Sequence, residues 1–287
     1  MTMPTSPGQQ LRSALQRARE QQRTLPFVGI YDLFSASLAA NRFEALFLSG
    51  FGVAASAYGL PDIGFIGWGD LTSTTSRLRA LLPEHHLLVD MDDGFGDPAI
   101  AGHVARSLER CGASGVVLED QARPRRCGHL SGKQILPLPD YLQKLDAVLE
   151  ERSSLVVVAR TDAVAHGEIL ERVQAFDQRG CDAVLADGIK DVDLIAQLRK
   201  TVRCPVFCNV IGGGKVPAAS RADLASLGVE GLIYSTPCLF AAQGAIEQAL
   251  EQISHNDARL EDALAAARDL SDCHALLQTN LQRADGA

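Results

Sequence analysis

The sequence predicts a fold of the α/β class, a closed (β/α)8 TIM-type barrel. Eight short apolar runs recur along the chain, separated by stretches long enough to form helices. Such alternation is typical of parallel strands joined by crossover helices. One barrel of this type takes roughly 250 residues, and the chain has 287. The runs are Phe27–Ile30, Ala45–Leu48, Leu87–Val89, Gly115–Leu118, Leu155–Ala159, Ala183–Ala186, Val206–Cys208 and Gly231–Ile233.

Proline and glycine mark the ends of the predicted crossover helices. Three of the helices begin near a proline, whose missing N–H costs nothing in the first helical turn. Three are followed by a glycine directly before the next apolar run, as is typical of helix C-termini; these are Gly112, Gly180 and Gly228. The predicted helices are Pro98–Cys111, Pro139–Glu151, Glu168–Arg179, Asp191–Val202 and Pro217–Leu227.

Two further amphipathic helices are predicted outside the barrel units. Residues 8–23 are rich in arginine and have one apolar face. We expect this helix to pack on the barrel, a transit peptide being the alternative. Residues 256–281 form the second helix. We therefore predict a single domain over residues 1–287, with an N-terminal helix in 1–25, the barrel in 26–253 and a C-terminal helical extension in 254–287.

The composition of the chain argues against nucleic acid and membranes as its binding partners. The net charge of −8 argues against nucleic acid. No apolar run is long enough to span a membrane, and the N-terminus has no secretory signal pattern. The seven cysteines are scattered and form no CxxC pair, which suits free thiols in a reducing compartment. We expect a cytoplasmic protein that binds a small molecule.

Carboxylates follow two neighbouring apolar runs. Asp90 and Asp92 lie two residues apart, so both side chains can point to one side of an extended chain. Glu119 and Asp120 close the next run. At the carboxyl ends of barrel strands these groups would repel one another unless a cation lay among them. Oxygen ligands favour Mg²⁺, with Mn²⁺ possible. The alternative is that these residues cap helices and pair with arginines of the barrel.

A long polar loop follows the fourth run. In it Cys127 comes directly after Arg125 and Arg126, and His129 lies two residues further on. Positive neighbours lower a thiol pKa, and such a cysteine can exchange protons or act as a nucleophile. The alternative is an ordinary surface loop with an incidental cysteine.

Taken together, these motifs resemble the isocitrate lyase / phosphoenolpyruvate mutase superfamily over roughly residues 26 to 250. The motifs, in chain order, are Ser49–Gly52, Gly59–Gly64, Asp90–Asp92, Glu119–Asp120, Arg125–His129 and Arg160–Asp162. The resemblance is to the 2-methylisocitrate lyase-like and carboxyphosphonoenolpyruvate mutase-like members. It implies a (β/α)8 barrel, a homo-oligomer (dimer or tetramer) with a helix swapped between subunits, bound Mg²⁺, and an α-oxo or α-hydroxy carboxylate as ligand.

The resemblance also implies roles for individual residues. The metal-site carboxylates, acting mostly through water, are Asp62, Asp90, Asp92 and Glu119. The substrate-binding residues are Ser49, Gly50, Phe51, Asp32, Arg126, Gly128, Asp187 and Asn209. The catalytic residues are Cys127 as the acid, Arg160 as a charge clamp, Tyr31 and His129.

The chain departs from the family pattern in three places. Both basic residues before Cys127 are arginine, a poor proton donor, so Cys127 is expected to carry the proton. Strand 6 ends in Asp187 where lyases often have Glu, and Gly212 stands where many have another Glu. We predict an Mg²⁺-dependent carbon–carbon lyase cleaving a 2-hydroxy di- or tricarboxylate, 2-methylisocitrate-like, into an α-oxo acid and a carboxylate. The alternatives are a phosphonate P–C bond enzyme, an oxaloacetate-type hydrolase and an inactive binding barrel.

Overall fold

Eight parallel strands close into a barrel in chain order, with the first strand paired to the last. The structure, a computed structural model, describes residues 5–126, 128, 132–215, 217–255 and 269–285. The predicted fold class is confirmed, and each apolar run coincides with a strand. The strands are β1 (Leu25–Ile30), β2 (Ala45–Leu48), β3 (His86–Asp90), β4 (Gly115–Glu119), β5 (Val156–Thr161), β6 (Ala183–Ala186), β7 (Val206–Val210) and β8 (Val229–Tyr234).

Helices surround the barrel and extend both ends of the chain. The barrel helices are α2 (Leu33–Ala39), α3 (Gly50–Val53, continued by a π-helical turn at Ala54–Tyr58), α4 (Trp68–Leu81), α5 (Pro98–Arg110), α6 (Leu138–Glu151), α7 (His166–Arg179), α8 (Val192–Thr201), α9 (Arg221–Ser226) and α10 (Pro237–His255). The terminal helices are α1 (Pro7–Glu20) and α11 (Leu270–Asp285). Gly112, Gly180 and Gly228 adopt φ angles of 92°, 84° and 82°, which allow the chain to leave a helix.

Helix α9 is shorter than predicted. The prediction placed its start at Pro217, but the helix begins at Arg221. The Ser220 hydroxyl accepts a hydrogen bond from the N–H of Asp223 at 3.1 Å, and the Asp223 carboxylate accepts one from the N–H of Ser220 at 2.8 Å. This reciprocal capping box sets the helix start and outweighs the proline signal.

Helix α1 closes the barrel at the amino ends of its strands. Leu11, Leu15 and Ala18 are buried in the same cluster as the inward-facing side chains of the strands. Arg12 forms an ion pair with Asp182 at 2.7 Å, and Arg19 forms one with Glu230 at 2.6 Å. The barrel interior is thus filled from below, which leaves the carboxyl ends of the strands for chemistry.

The C-terminal extension is helical where it is described. The predicted helix over 256–281 falls partly on residues 256–268, which lie outside the described residues, and α11 begins at Leu270. The Asn280 amide donates a hydrogen bond to the Ser37 hydroxyl at 2.7 Å, tying α11 to α2. In the described part of the chain, no helix has the length and apolarity needed to cross a membrane. The oligomer and the helix swap stay predictions.

Candidate active site

The polar residues predicted from the strand ends converge at the carboxyl end of the barrel. Parallel register explains this, because neighbouring strands carry equivalent positions at the same height. Glu119 of β4, for example, lies directly across from Arg160 of β5. A cavity of about 30 Å³ lies among these side chains. Its polar lining residues are Ser49, Asp62, Asp90, Arg160, Asp187, Asn209 and Ser235, and Phe51 and Gly128 also border it.

The β3 carboxylates lie against the backbone that follows β2. The Gly50 N–H donates to Asp90 Oδ2 at 3.3 Å, and the Asp92 N–H donates to Asp90 Oδ1 at 3.3 Å. A Cβ on Gly50 would lie 3.1 Å from an oxygen of each carboxylate, so glycine allows this close approach. Asp92 itself has a φ of 47°, in a region that aspartate enters more readily than most residues.

Three carboxylates contact the guanidinium of Arg125, whose side chain is only 2% exposed. Its Nη1 lies 2.5 Å from Asp62 Oδ1, its Nε lies 2.9 Å from Glu119 Oε1, and its Nη2 lies 3.2 Å from Asp92 Oδ1. Asp90 completes the group on the side of Gly50. The structure therefore brings together all four of the predicted metal-site carboxylates, and it adds an arginine that the prediction had not assigned to them.

Burial raises the pKa values in this cluster despite the nearby arginines. Loss of hydration raises the pKa of Asp90, against the lowering effect of Arg160. It raises the pKa of Asp92 well above the ordinary value, with Asp90 and Asp62 adding to the effect. Burial raises the pKa of Glu119 to about 7. The raised pKa values mean that the ionised carboxylates are poorly compensated in this site, and an added cation would favour their charged forms.

The donor set fits a hard divalent ion that is held largely through water. Both carboxylate oxygens of Asp92 are buried and accept no hydrogen bond from the described residues, although Oδ1 forms an ion pair with Arg125 Nη2 at 3.2 Å. No three histidine, cysteine or acidic side chains in the described ranges lie close enough together to chelate an ion directly. Mg²⁺ keeps several waters and takes few direct protein ligands. Asp62, Asp90, Asp92 and Glu119 are therefore suited to hold it.

Arg160 links this cluster to the far side of the cavity. Its Nη2 lies 2.9 Å from Asp187 Oδ2 and 3.3 Å from Glu119 Oε2. Its Nε lies 3.0 Å from Asp162 Oδ2. The N–H of Asp162 is in turn held by Asp120 Oδ1 at 2.9 Å. A buried guanidinium held on several sides is fixed in one orientation, as a clamp for a substrate carboxylate requires.

A chain of hydrogen bonds forms the wall opposite the acidic cluster. The Asn209 amide donates to Asp187 Oδ1 at 2.8 Å, and the Ser235 hydroxyl donates to Asn209 Oδ1 at 2.5 Å. Asp187 and Asn209 were predicted from the resemblance, whereas Ser235 was not assigned to the site. The signal that could have found Ser235 is its position directly after the eighth apolar run.

The loop that carries the Arg-Arg-Cys-Gly-His motif reaches the cavity at Gly128. A Cβ there would lie 2.0 Å from Asp187 Oδ2 and 2.2 Å from Arg160 Nη2, so the backbone packs directly on both side chains. Lys133, whose side chain is 6% exposed, donates to the Gly128 carbonyl at 2.5 Å and to Asp162 at 2.8 Å. The predicted catalytic residues Cys127 and His129 lie outside the described residues.

Two residues predicted for the site, Asp32 and Tyr31, have contacts outside the cavity. The Asp32 carboxylate caps α2 by accepting the N–H of Ser35 at 2.7 Å. Tyr31 lies against Gly52, where a Cβ would approach the Tyr31 Cβ to 2.8 Å. Burial and the charge of Asp32 raise the pKa of Tyr31. None of these contacts brings Tyr31 or Asp32 to the lining of the cavity.

Arg126 has an exposed side chain, and only its backbone is fixed. Its N–H donates to Gln121 Oε1 at 2.9 Å, and its carbonyl accepts from Gln121 Nε2 at 2.8 Å. The preceding Arg125 is the buried one. Residue type cannot distinguish two adjacent arginines in an irregular loop, so this assignment needed the tertiary structure.

The chain is similar to known proteins in sequence and, for some of them, in structure. The model of the family described as phosphoenolpyruvate phosphomutase matches residues 14–254. A 2-methylisocitrate lyase of Bacillus subtilis is 34% identical over 230 residues, which are 78% of this chain and 75% of the relative. A solved structure of oxaloacetate acetylhydrolase with 3,3-difluorooxalacetate aligns with a TM-score of 0.87 and 27% identity, covering 98% of this chain and 95% of that one.

A third comparison includes a metal ion. The structure of phosphonopyruvate hydrolase in complex with oxalate and Mg²⁺ aligns with a TM-score of 0.83 and 25% identity, covering 97% of each chain. The similar proteins therefore include carbon–carbon lyases as well as hydrolases of carbon–carbon and carbon–phosphorus bonds.

Proposed function

Because the chain belongs to the phosphoenolpyruvate phosphomutase family, we propose that it is an Mg²⁺-dependent lyase cleaving the carbon–carbon bond of a 2-hydroxy di- or tricarboxylate. The products are an α-oxo acid and a second carboxylate. Family membership makes the chain an enzyme of the lyase, mutase and hydrolase group. The bond cleaved and the substrate are our proposal.

The observation that carries the proposal is the position of Arg160 between two acidic groups of the cavity. On one side lies the carboxylate cluster with Glu119, and on the other lies Asp187. A 2-hydroxy acid has a carboxylate beside a hydroxyl, so it suits one arginine next to a hard-ion site. Bound Mg²⁺ would lower the pKa of the substrate hydroxyl. A base of the site takes the hydroxyl proton, the carbonyl of the α-oxo acid forms, and the bonding electrons leave with the departing carbon.

The residues of the chain supply binding, orientation and a proton. Arg160, together with the backbone of Gly50 and Phe51, holds the negative charges of the substrate that shift as the carbon–carbon bond breaks. Ser49 lines the cavity and accepts the Gly52 N–H at 3.2 Å, which keeps this backbone in place. Asp187, Asn209 and Ser235 form a polar wall for the distal part of the substrate.

Cys127 is proposed as the acid that protonates the departing carbanion-like carbon. The support is positional, because the adjacent Gly128 lies in contact range of both Arg160 and Asp187. Cysteine is a residue type that can donate and recover a proton in catalysis. His129, also proposed for catalysis, follows Gly128 in the sequence.

Space for a substrate with more than one carboxylate adjoins the central cavity. The central cavity of about 30 Å³ is small for such a molecule. A second cavity of about 430 Å³ also borders on Asp187. Its lining combines apolar side chains such as Val164 with the cationic Lys190 and Lys215. These features support a substrate with an additional anionic group.

The test is a product assay of the purified enzyme, with Mg²⁺ and with EDTA, that detects α-oxo acid released from the hydroxy acids, oxalate released from oxaloacetate and phosphate released from the phosphonate. The panel contains 2-hydroxy di- and tricarboxylates, oxaloacetate and a phosphonopyruvate-type compound. Mg²⁺-dependent release from a hydroxy-polycarboxylate alone supports the lyase. Turnover of only oxaloacetate or only the phosphonate would replace it with the hydrolase or the P–C enzyme of the same family.

A pair of cysteine variants tests the proposed acid. Cys127→Ser is expected to lower kcat by at least about 100-fold, the loss typical of an essential proton transfer, while leaving oxalate binding intact. Cys111→Ser is the matched control, because Cys111 ends α5 at the opposite end of the barrel. Full activity of Cys127→Ser would refute the role of the thiol and leave the reaction class open to the substrate assay.

A further inference from the structure

Arg125 lies at the centre of the proposed metal carboxylates. Three of its nitrogens each face a different acidic residue, at 2.5 Å from Asp62, 2.9 Å from Glu119 and 3.2 Å from Asp92. With 2% exposure, the guanidinium has left water almost completely. A buried charge of this kind is tolerated only with close partners of opposite charge, and these three carboxylates are its partners.

The neighbouring arginines of the same loop behave differently. Arg123 is 46% exposed and pairs with Asp93, which lies outside the cluster. Arg126 has an exposed side chain. Insertion into the cluster is therefore specific to Arg125. The planar guanidinium presents five N–H donors, which allows one side chain to face three carboxylates at once.

A divalent ion at this site would use the same three carboxylates. Its charge would share this poorly hydrated site with the charge of Arg125, and like charges repel strongly there. Whatever free energy Arg125 gains from these partners is lost in part when the ion takes them. By linkage, each cation lowers the affinity of the site for the other by the same factor.

We propose that Arg125 is an internal cation that competes with the divalent metal for Asp62, Asp92 and Glu119 and so weakens the metal affinity of the site. This inference rests on the proposed function, because it takes the ion to bind at these carboxylates. It assigns Arg125 a role in metal binding rather than in proton transfer. It also predicts effects of opposite sign on metal affinity and on the stability of the protein without metal.

The experiment is a titration of the full-length chain with Mn²⁺, with free Mn²⁺ measured by electron paramagnetic resonance. Arg125→Met removes the charge and keeps an unbranched side chain. We expect its Mn²⁺ dissociation constant to fall at least about tenfold below that of the wild type, equivalent to about 1.4 kcal/mol. Arg123→Met is the matched control in the same loop and should change the constant less than about twofold, the size of a screened surface ion pair.

A charge-conserving variant separates the charge from the side-chain shape. Arg125→Lys should stay within about threefold of the wild type, because an ammonium still repels the ion. A shift in Arg125→Lys as large as that in Arg125→Met would overturn the proposal. Thermal melting in EDTA tests the opposite effect on stability. Without metal, Arg125→Met should have a lower melting temperature than the wild type, and the difference should shrink with saturating Mn²⁺.

Failure of this inference differs from failure of the proposed function. If the wild type binds Mn²⁺ and Arg125→Met binds it equally or more weakly, the competition is refuted while metal-dependent catalysis stands. If neither protein binds Mn²⁺, the metal site and the competition are both refuted. Substrate turnover is measured separately and enters neither comparison.

Discussion

Replacing Gly128 with alanine tests the closest contact in the candidate site. The new Cβ would lie 2.0 Å from Asp187 Oδ2, 2.2 Å from Arg160 Nη2 and 2.8 Å from Asp162 Oδ1. Ordinary van der Waals contact for such atoms begins at about 3.5 Å. The backbone or the two side chains must therefore move by more than about 1 Å, and Arg160 and Asp187 cannot move without breaking the ion pair at 2.9 Å between them.

The expected consequence is a large loss of catalysis with a small loss of stability. A misplacement of about 1 Å in a catalytic site can cost roughly 100-fold in rate. We expect kcat/KM of Gly128→Ala, measured by α-oxo acid release, to fall by about that factor. The melting temperature should change little, because the loop backbone can shift without opening the barrel core.

Gly167→Ala is the matched control for this substitution. Gly167 lies in the first turn of α7, and a Cβ there would meet no atom within 4 Å. Alanine in a helix is favoured over glycine by up to about 1 kcal/mol, so this variant should retain full activity and equal or higher stability. If Gly128→Ala also retained activity within twofold of the wild type, the packing of Gly128 on Arg160 would not matter to catalysis, and the reasoning would be refuted.

Three further predictions follow from particular contacts. Lys133→Met should lower kcat more than it raises KM, because it removes the hydrogen bonds to the Gly128 carbonyl and to Asp162. In the same steady-state assay Lys133→Arg should recover part of the lost kcat. An equal loss of kcat in both variants would contradict a positioning role for Lys133. Burial raises the pKa of Glu119 to about 7, so the folded protein binds the carboxyl proton of Glu119 more tightly than the unfolded chain does. The protonated Glu119 therefore contributes to stability at low pH, and this contribution is lost as pH rises from about 4.5 to 7. Urea unfolding in EDTA should show that the free energy of unfolding of Glu119→Gln rises relative to that of the wild type across this pH range, by up to about 3 kcal/mol. A difference between the two proteins that does not change with pH would contradict this prediction. Gly231→Ala should lower the free energy of unfolding by about 1–3 kcal/mol, because its Cβ would lie 2.5 Å from the Phe207 ring. Adding Phe207→Leu to Gly231→Ala should restore part of the lost stability in thermal melts. If the effects of the two substitutions simply add, the predicted overlap between residues 231 and 207 is wrong.

The fold followed from the sequence because its signals are local. A parallel strand buried on both faces reads as a continuous apolar run, and all eight runs became strands. Ala45–Leu48 and Ala183–Ala186 even have the predicted bounds. The start of α9 was missed, since the choice between Pro217 and the Ser220 cap depends on the path of the loop before it.

The composition of the candidate site followed from the sequence for a related reason. Residues directly after parallel strands must meet at one edge of the barrel, and this brings together Asp90, Glu119, Arg160 and Asp187. Asp62 needed the family resemblance, because it lies in a loop beyond α3 with no strand to position it. Whether Cys127 and His129 act in catalysis stays a prediction.

What the sequence alone determined about this protein is the barrel and the set of strand-end residues that face its cavity. Only the tertiary structure decided how those residues pair. It selected Arg125 rather than Arg126 for the carboxylate cluster, used Asp32 as a helix cap, and brought Ser235 to Asn209. The physical reason is that strand and helix periodicity is written in neighbouring residues. The partner of a buried charge, in contrast, is chosen by distance in space, and the irregular loops that set those distances have no periodicity to read.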